Sequence, residues 1–212
     1  IKLSSGATSR GLPPGRFGSI SPECFGRLQG DELATHPMKV TIDARTPDAA
    51  EKLRADDKEG CEHHTFVGLM RNDLSRVAEG VHVRHCKYLS ELHTSSGPLL
   101  QMSSEVVGSV DRSKGLRFGD LILQLLPAGS ISGAPKERTV ALIQEAEGLP
   151  RGFYTGVCGY FDGASLDSAV LIRFVEEDAS GARFYRSGGG ITINSVAEDE
   201  YHECLQKIYI PQ

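Results

Sequence analysis

The chain has 212 residues, 39% of them hydrophobic and 24% charged, with a formal net charge of -5. That composition suits one globular domain large enough to bury a core; no apolar run approaches the roughly 18 residues a membrane span needs, and an acidic balance without clustered Lys and Arg argues against nucleic acid as the main partner. Cys24, Cys61, Cys86, Cys158 and Cys204 are scattered with no C-x-x-C pair, so neither a disulfide framework nor a thiolate metal site is expected, and a reducing cytoplasm is the simplest setting.

Residues 1–18 are rich in Ser, Gly and Pro and read as an irregular or truncated start without signal-peptide character, leaving residues 19–212 as one domain. Residues 58–78 predict a helix, with Phe66, Leu69, Met70, Leu74 and Val77 near helical spacing and Gly80 past its end. Residues 81–88 alternate, and residues 99–110 form a β-rich run after the turn signal Gly97-Pro98, so two strands are expected. Helices are predicted over 118–126 and 134–147, the second with Pro135 in its first turn and Gly148 at its end, separated by a Gly- and Ser-rich loop over 128–133. Strands over 154–161, 166–176 and 183–187, with turns at Asp162-Gly163 and Ser180-Gly181, read as an antiparallel meander. Three glycines, Gly188, Gly189 and Gly190, precede a last helix from about 197 to 208 whose acidic first turn complements the helix dipole. The pattern is that of an α+β domain with strands and helices in separate layers.

Three features carry chemistry. Glu62, in Cys-Glu-His-His, and Glu200 with Glu203, at i and i+3 on the last helix, are carboxylates of the kind that share a hard divalent cation with an anionic substrate and water; spacing alone fits solvated helix faces better. The run Ser187-Gly188-Gly189-Gly190-Ile191-Thr192 follows a strand; it is either a flexible turn or a backbone cradle for an anion, which Arg173 would suit as a carboxylate partner. The segment Gly129-Ser130-Ile131-Ser132-Gly133-Ala134-Pro135-Lys136 opens onto a helix N-terminus but lacks the G-x-x-x-x-G-K-[ST] spacing of a nucleotide loop.

The ordered series Ser21-Pro22-Glu23, Pro37-Met38-Lys39-Val40-Thr41, Lys58-Glu59 with Glu62-His63, Arg71-Asn72-Asp73-Leu74, the Ser130-to-Lys136 segment, Arg151-Gly152 with Tyr154 and Gly156, Gly159-Tyr160, Ile172-Arg173, the triple glycine with Ile191, and Glu200 with Glu203 resembles the chorismate-utilising enzymes. The likeness is greatest to the aminating component of aminodeoxychorismate synthase, with anthranilate synthase component I also related. It implies two packed antiparallel sheets flanked by helices, with the active site between the sheets and closed by the helix of Glu62 and the last helix, and with the first strands of the family missing ahead of Ser19. It further implies Mg²⁺-dependent amination of chorismate, a step towards 4-aminobenzoate and folate, with ammonia supplied by a glutamine amidotransferase subunit. On this resemblance Glu62 and Glu203 match the Mg²⁺ ligands with Glu200 beside them. Tyr154, Arg173, Gly189, Gly190, Gln101 and Thr41 match substrate-binding positions. Glu23 matches the acid that protonates the departing 4-hydroxyl, and Lys39 matches the lysine that adds to ring carbon 2, a residue that is small in anthranilate synthases. The sequence departs from the pattern at Val40, where Gly is usual, at Gly68, where Asp is usual, and at Gln101, where many members have His. Anthranilate or isochorismate synthesis, and a chorismate-binding remnant without turnover, are the alternatives.

Overall fold

The computed structural model describes residues 16–55, 57–94, 97–115, 117–178, 180–193 and 195–208. A long hairpin forms its spine. Strand β5 (Glu79–Thr94) runs antiparallel to β6 (Gly97–Ser109) along the whole length of both, with register shifts between Glu79 and His82, Val83 and His85, and His85 and Tyr88. The other edge of β6 takes two short strands end to end: β3 (Glu32–Thr35) pairs with residues 106–109 and β4 (Met38–Asp43) with residues 99–103. Pro37 lies at the joint, where its carbonyl accepts the Ser104 N–H at 3.0 Å; a proline has an acceptor but no donor to offer a ladder. Strands β2 (Cys24–Gln29), β8 (Leu166–Val170) and β7 (Val157–Phe161) extend this seven-stranded sheet beyond β3.

A second, three-stranded antiparallel sheet joins β1 (Arg16–Ser19), β9 (Phe174–Glu177) and β10 (Arg183–Arg186). β1 begins inside the stretch whose composition reads as irregular. The expected single strand over 166–176 is two strands in different sheets, and the expected meander is two hairpins. The cause is local: the in-out burial of Leu166, Ser168 and Val170 is interrupted when Leu171 is buried as well, and Leu171 N–H turns to the Gly156 carbonyl at 2.8 Å while Thr155 N–H returns to the Leu171 carbonyl at 2.8 Å. An apolar run alone does not reveal where a chain changes sheets.

Helix α1 (Ala49–Ala55) leads into α2 (Asp57–Leu74). The α2 side chains Val67, Met70 and Leu74 enter one core with Leu33, Val106, Val170 and others, which Leu121 and Leu125 of α3 (Phe118–Leu125) complete. Each such buried side chain stabilises the fold by roughly 1.5–3 kcal/mol relative to exposure. The segment expected as a loop contains a single helical turn, α4 (Gly129–Ser132), and α5 (Lys136–Glu147) starts one residue after Pro135, so that proline is the N-cap rather than the first-turn residue. The last helix is α6 (Ala197–Gln206). No described helix is long and apolar enough to cross a membrane.

Candidate active site

Glu23 lies just ahead of β2, and its backbone carbonyl accepts the Val170 N–H at 3.0 Å, so the strand pairing fixes its place. Its carboxylate accepts a hydrogen bond from the Ser130 hydroxyl of α4. Burial pushes the Glu23 pKa up, with the Ser130 bond and the positive charge of Arg173 opposing it. Burial also pushes the neighbouring Cys24 thiol up to about 11, which keeps that thiol inert. A carboxyl kept protonated by its surroundings and oriented by a hydroxyl is the arrangement a general acid requires.

Arg173 acts on a second group. It also influences the Tyr154 phenol, whose pKa burial raises most. Tyr154 is held from its own side by Arg151, whose guanidinium carbon lies 5.5 Å from the ring centroid. Arg151 is itself anchored, bonding the Glu147 carboxylate at 2.6 Å and the Thr155 hydroxyl at 3.1 Å. The Tyr154 hydroxyl in turn abuts Gly188, where a Cβ would lie 1.8 Å from the phenol oxygen. None of Gly188, Gly189 and Gly190 adopts a positive φ. Only Gly188 is required to be glycine by close approach.

At Gly189 the chain meets α6: a Cβ there would lie 3.4 Å from Glu200 Oε2 and 3.9 Å from Glu203 Oε1. Ser195 donates to Glu200 Oε1 at 2.5 Å, and Lys207 pairs with Glu203. The helix is tied to β10 and its extension by Tyr185 Oη donating to the Lys207 carbonyl and Ser187 Oγ donating to the Cys204 carbonyl, each at 3.3 Å. Tyr154, Gly188, Gly189, Glu200 and Glu203 thus form one connected series of neighbours, and the charge of Arg173 acts on both Tyr154 and Glu23.

Two carboxylates facing a glycine backbone fit the donor chemistry of Mg²⁺, which takes one or two carboxylates together with an anionic substrate and water. Glu62 is half-buried on α2. Among the described residues no three His, Cys, Asp or Glu side chains come together as a metal-holding group, so Glu62 is not gathered with Glu200 and Glu203 into one. Its neighbour His63 is fully buried, with Nε2 2.7 Å from Ser104 Oγ and Nδ1 without a partner among the described residues, and burial lowers its pKa. His63 shares helical spacing with Val67, Met70 and Leu74, which is the signal that places it on the core face.

Lys39 falls within β4, and its side chain, like that of Val40, lies outside the described residues. The β4–β6 register shifts here: Met38 pairs with Ser103 and Val40 with Met102, so Lys39 is the extra residue of a β-bulge. Bulges re-aim a side chain relative to its neighbours and concentrate near active sites. Thr41 and Gln101 are direct partners across the ladder; Thr41 is exposed, whereas Gln101 is buried with its amide donating to Met38 Sδ at 3.2 Å. The sequence reading did not anticipate the ion pair between Lys136 and Asp73, 2.8 Å apart.

Residues 8–211 match the family described as chorismate binding enzyme. An uncharacterized PabA-like protein of Pasteurella multocida is 52% identical over 196 residues, and one of Haemophilus influenzae is 49% identical over 196. The anthranilate synthase component 1 of Archaeoglobus fulgidus is 38% identical over 191 residues. These alignments cover 92%, 92% and 89% of this chain but only 60%, 60% and 45% of the relatives, so the chain spans less than two thirds of their length. Among solved structures, the anthranilate synthase component I of Streptococcus pneumoniae superposes with a TM-score of 0.77 at 30% identity, over 91% of this chain and 42% of that one. The menaquinone-specific isochorismate synthase MenF of Escherichia coli gives 0.75 at 22% identity, over 91% and 44%, and shares the fold.

Proposed function

The chain belongs to the chorismate binding enzyme family, and from that membership we propose that it aminates chorismate with ammonia to 4-amino-4-deoxychorismate. The observation that carries the reading is Glu23: a buried carboxyl with a raised pKa, held by Ser130 and within the field of Arg173. Such a group donates a proton to a departing hydroxyl, and the reaction needs that donor at the 4-position. Arg173, Tyr154 and the glycine backbone beside it supply positive charge, a hydroxyl and close backbone approach for the two carboxylates of the substrate. Mg²⁺ held by Glu200 and Glu203 would polarise the ring carboxylate, whereas Glu62 is not gathered with them.

The choice of the aminating route rests on Lys39. Its neutral amine adds to ring carbon 2, the ring double bond shifts, and the 4-hydroxyl leaves as water with the proton from Glu23. Ammonia then adds at carbon 4, the double bond shifts back, and the lysine is expelled, so the net change is chorismate plus ammonia giving aminodeoxychorismate plus water. The β4–β6 register shifts at Lys39. Ammonia would come from a glutamine amidotransferase subunit, and the PabA-like relatives favour that partnership.

A second reading, anthranilate synthesis, is favoured by the 38% identity to the Archaeoglobus fulgidus enzyme. Incubating the chain with chorismate, Mg²⁺ and an ammonium salt, and identifying products by chromatography with mass detection, decides between them. Aminodeoxychorismate formed only with Mg²⁺, and lost in Lys39→Ala, supports amination; anthranilate as the product overturns it. Binding of chorismate without product would leave only the binding role.

A further inference from the structure

We propose that the buried Asp73–Lys136 ion pair is a positioning device, which clamps the turn α4 so that the Ser130 hydroxyl stays on the Glu23 carboxyl. Asp73 and Lys136 come from α2 and α5, and their side chains are only 7% and 15% exposed. The two oxygens of Asp73 face two points of the same segment. Oδ1 takes the Lys136 ammonium at 2.8 Å, at the first residue of α5. Oδ2 lies against Gly129, the first residue of α4, where a Cβ would be 2.5 Å from it. Lys136 Nζ also reaches the Leu125 carbonyl at 3.5 Å, so the end of α3 joins the clamp. Ser130 lies between those points.

The turn has little means of holding itself. Its internal bonds are those of Ile131 N, Ser132 N and Ser132 Oγ to the Ala128 carbonyl, each at 3.0 Å, and that of Gly133 N to the Gly129 carbonyl; one helical turn of this size is unstable in isolation. A cavity of about 20 Å³ borders Glu23, Asp73, Gly129 and Ser130, which is room for movement if the clamp is released. A buried ion pair adds little net stability compared with apolar residues of similar volume, so its value here lies in geometry. Lys136, at the end of the glycine-rich segment, is therefore engaged inside the protein.

The importance of this device rests on the reading of Glu23 as the acid, but its geometry is testable without turnover. Protein labelled with ¹³C at the Glu side-chain carboxyl is titrated by NMR, with the Glu23 signal assigned through Glu23→Gln. Ser130→Ala is expected to move the Glu23 midpoint upward, because a bond to the ionised form is lost. The charge-neutral double variant Asp73→Asn/Lys136→Met should move it upward by a similar amount, and the triple variant no further. Lys136→Arg, which keeps the charge and the reach, should restore the wild-type midpoint. A folded double variant that titrates like wild type, or shifts that simply add in the triple variant, would overturn the proposal. If the double variant does not fold, the charge-neutral pair Asp73→Asn/Lys136→Gln replaces it, with the same expected upward shift and the same overturning result. Failure of the functional reading shows separately, as wild-type protein with the expected Glu23 titrations but no conversion of chorismate.

Discussion

The Tyr154 hydroxyl and the Gly188 backbone are so close that a Cβ at residue 188 would lie 1.8 Å from the phenol oxygen. Arg151 stacks on the Tyr154 ring and is anchored by Glu147 and Thr155, so the ring cannot yield without breaking that set. Gly188→Ala should therefore displace the glycine segment or the phenol while leaving the sheets intact. The expected result is a folded protein whose chorismate affinity, measured by calorimetry, drops about tenfold, equivalent to about 1.4 kcal/mol. Unchanged affinity would separate Tyr154 from the binding site.

The raised pKa of Glu23 sets a pH dependence with a definite sign. A carboxyl whose folded pKa lies above its unfolded value favours the folded state at acid pH, and that contribution is lost as pH rises through the folded pKa. Glu23→Gln, which keeps the shape and removes the charge, should raise the melting temperature at neutral pH and flatten its decline with pH. The same change should lower turnover by roughly 10²–10⁴-fold, the range contributed by a general acid. In the wild type, turnover should fall as pH rises through the Glu23 pKa. Thermal melts and rate profiles across pH measure both.

Much of the architecture is legible in the sequence where a period is sustained. The α2 face of Met70 and Leu74 follows from spacing, and two strands are read near 81–88 and 99–110, but β5 runs on to Thr94 where the alternation gives no signal, and Gly97-Pro98 opens β6 rather than forming the turn. Residues 24–43 are harder, because β2, β3 and β4 are four to six residues long and neighbours in different positions decide their burial. The break at Leu171 is invisible for the same reason: only the returning bonds from Gly156 and Thr155 distinguish one long strand from two. At the site, the residue types at Glu23, Tyr154 and Arg173 could be read from motifs. The influence of Arg173 on both Glu23 and Tyr154, and the engagement of Lys136 by Asp73 across 63 positions, depend on how separate elements pack.

The pairing of Glu200 with Glu203 at Gly189 makes the Mg²⁺ proposal specific. Glu203→Gln removes a charge while keeping the side-chain volume, and it also releases Lys207 from its ion pair. Mg²⁺ affinity, followed through the metal dependence of turnover, should weaken by about tenfold or more, as expected for loss of one of only one or two carboxylate ligands. Glu198→Gln, which disturbs the exposed pair with His202 one turn away, should leave the metal dependence unchanged. Equal responses from the two variants would show that only general acidity of α6 matters.

Gly129 provides the most direct test of packing beneath the site. A methyl group there would meet Asp73 Oδ2 at 2.5 Å and Met70 Cε at 2.9 Å. Met70 can shift, since its side chain is flexible, but Asp73 is held by Lys136 and is nearly inaccessible. Gly129→Ala should thus cost roughly 1–3 kcal/mol, the usual range for overpacking a filled interior, seen as an earlier denaturation midpoint with an unchanged slope. Adding Asp73→Asn/Lys136→Met should recover part of that loss, because the obstructing carboxylate is no longer fixed. If the costs instead add, Met70 rather than the ion pair is what the methyl group meets.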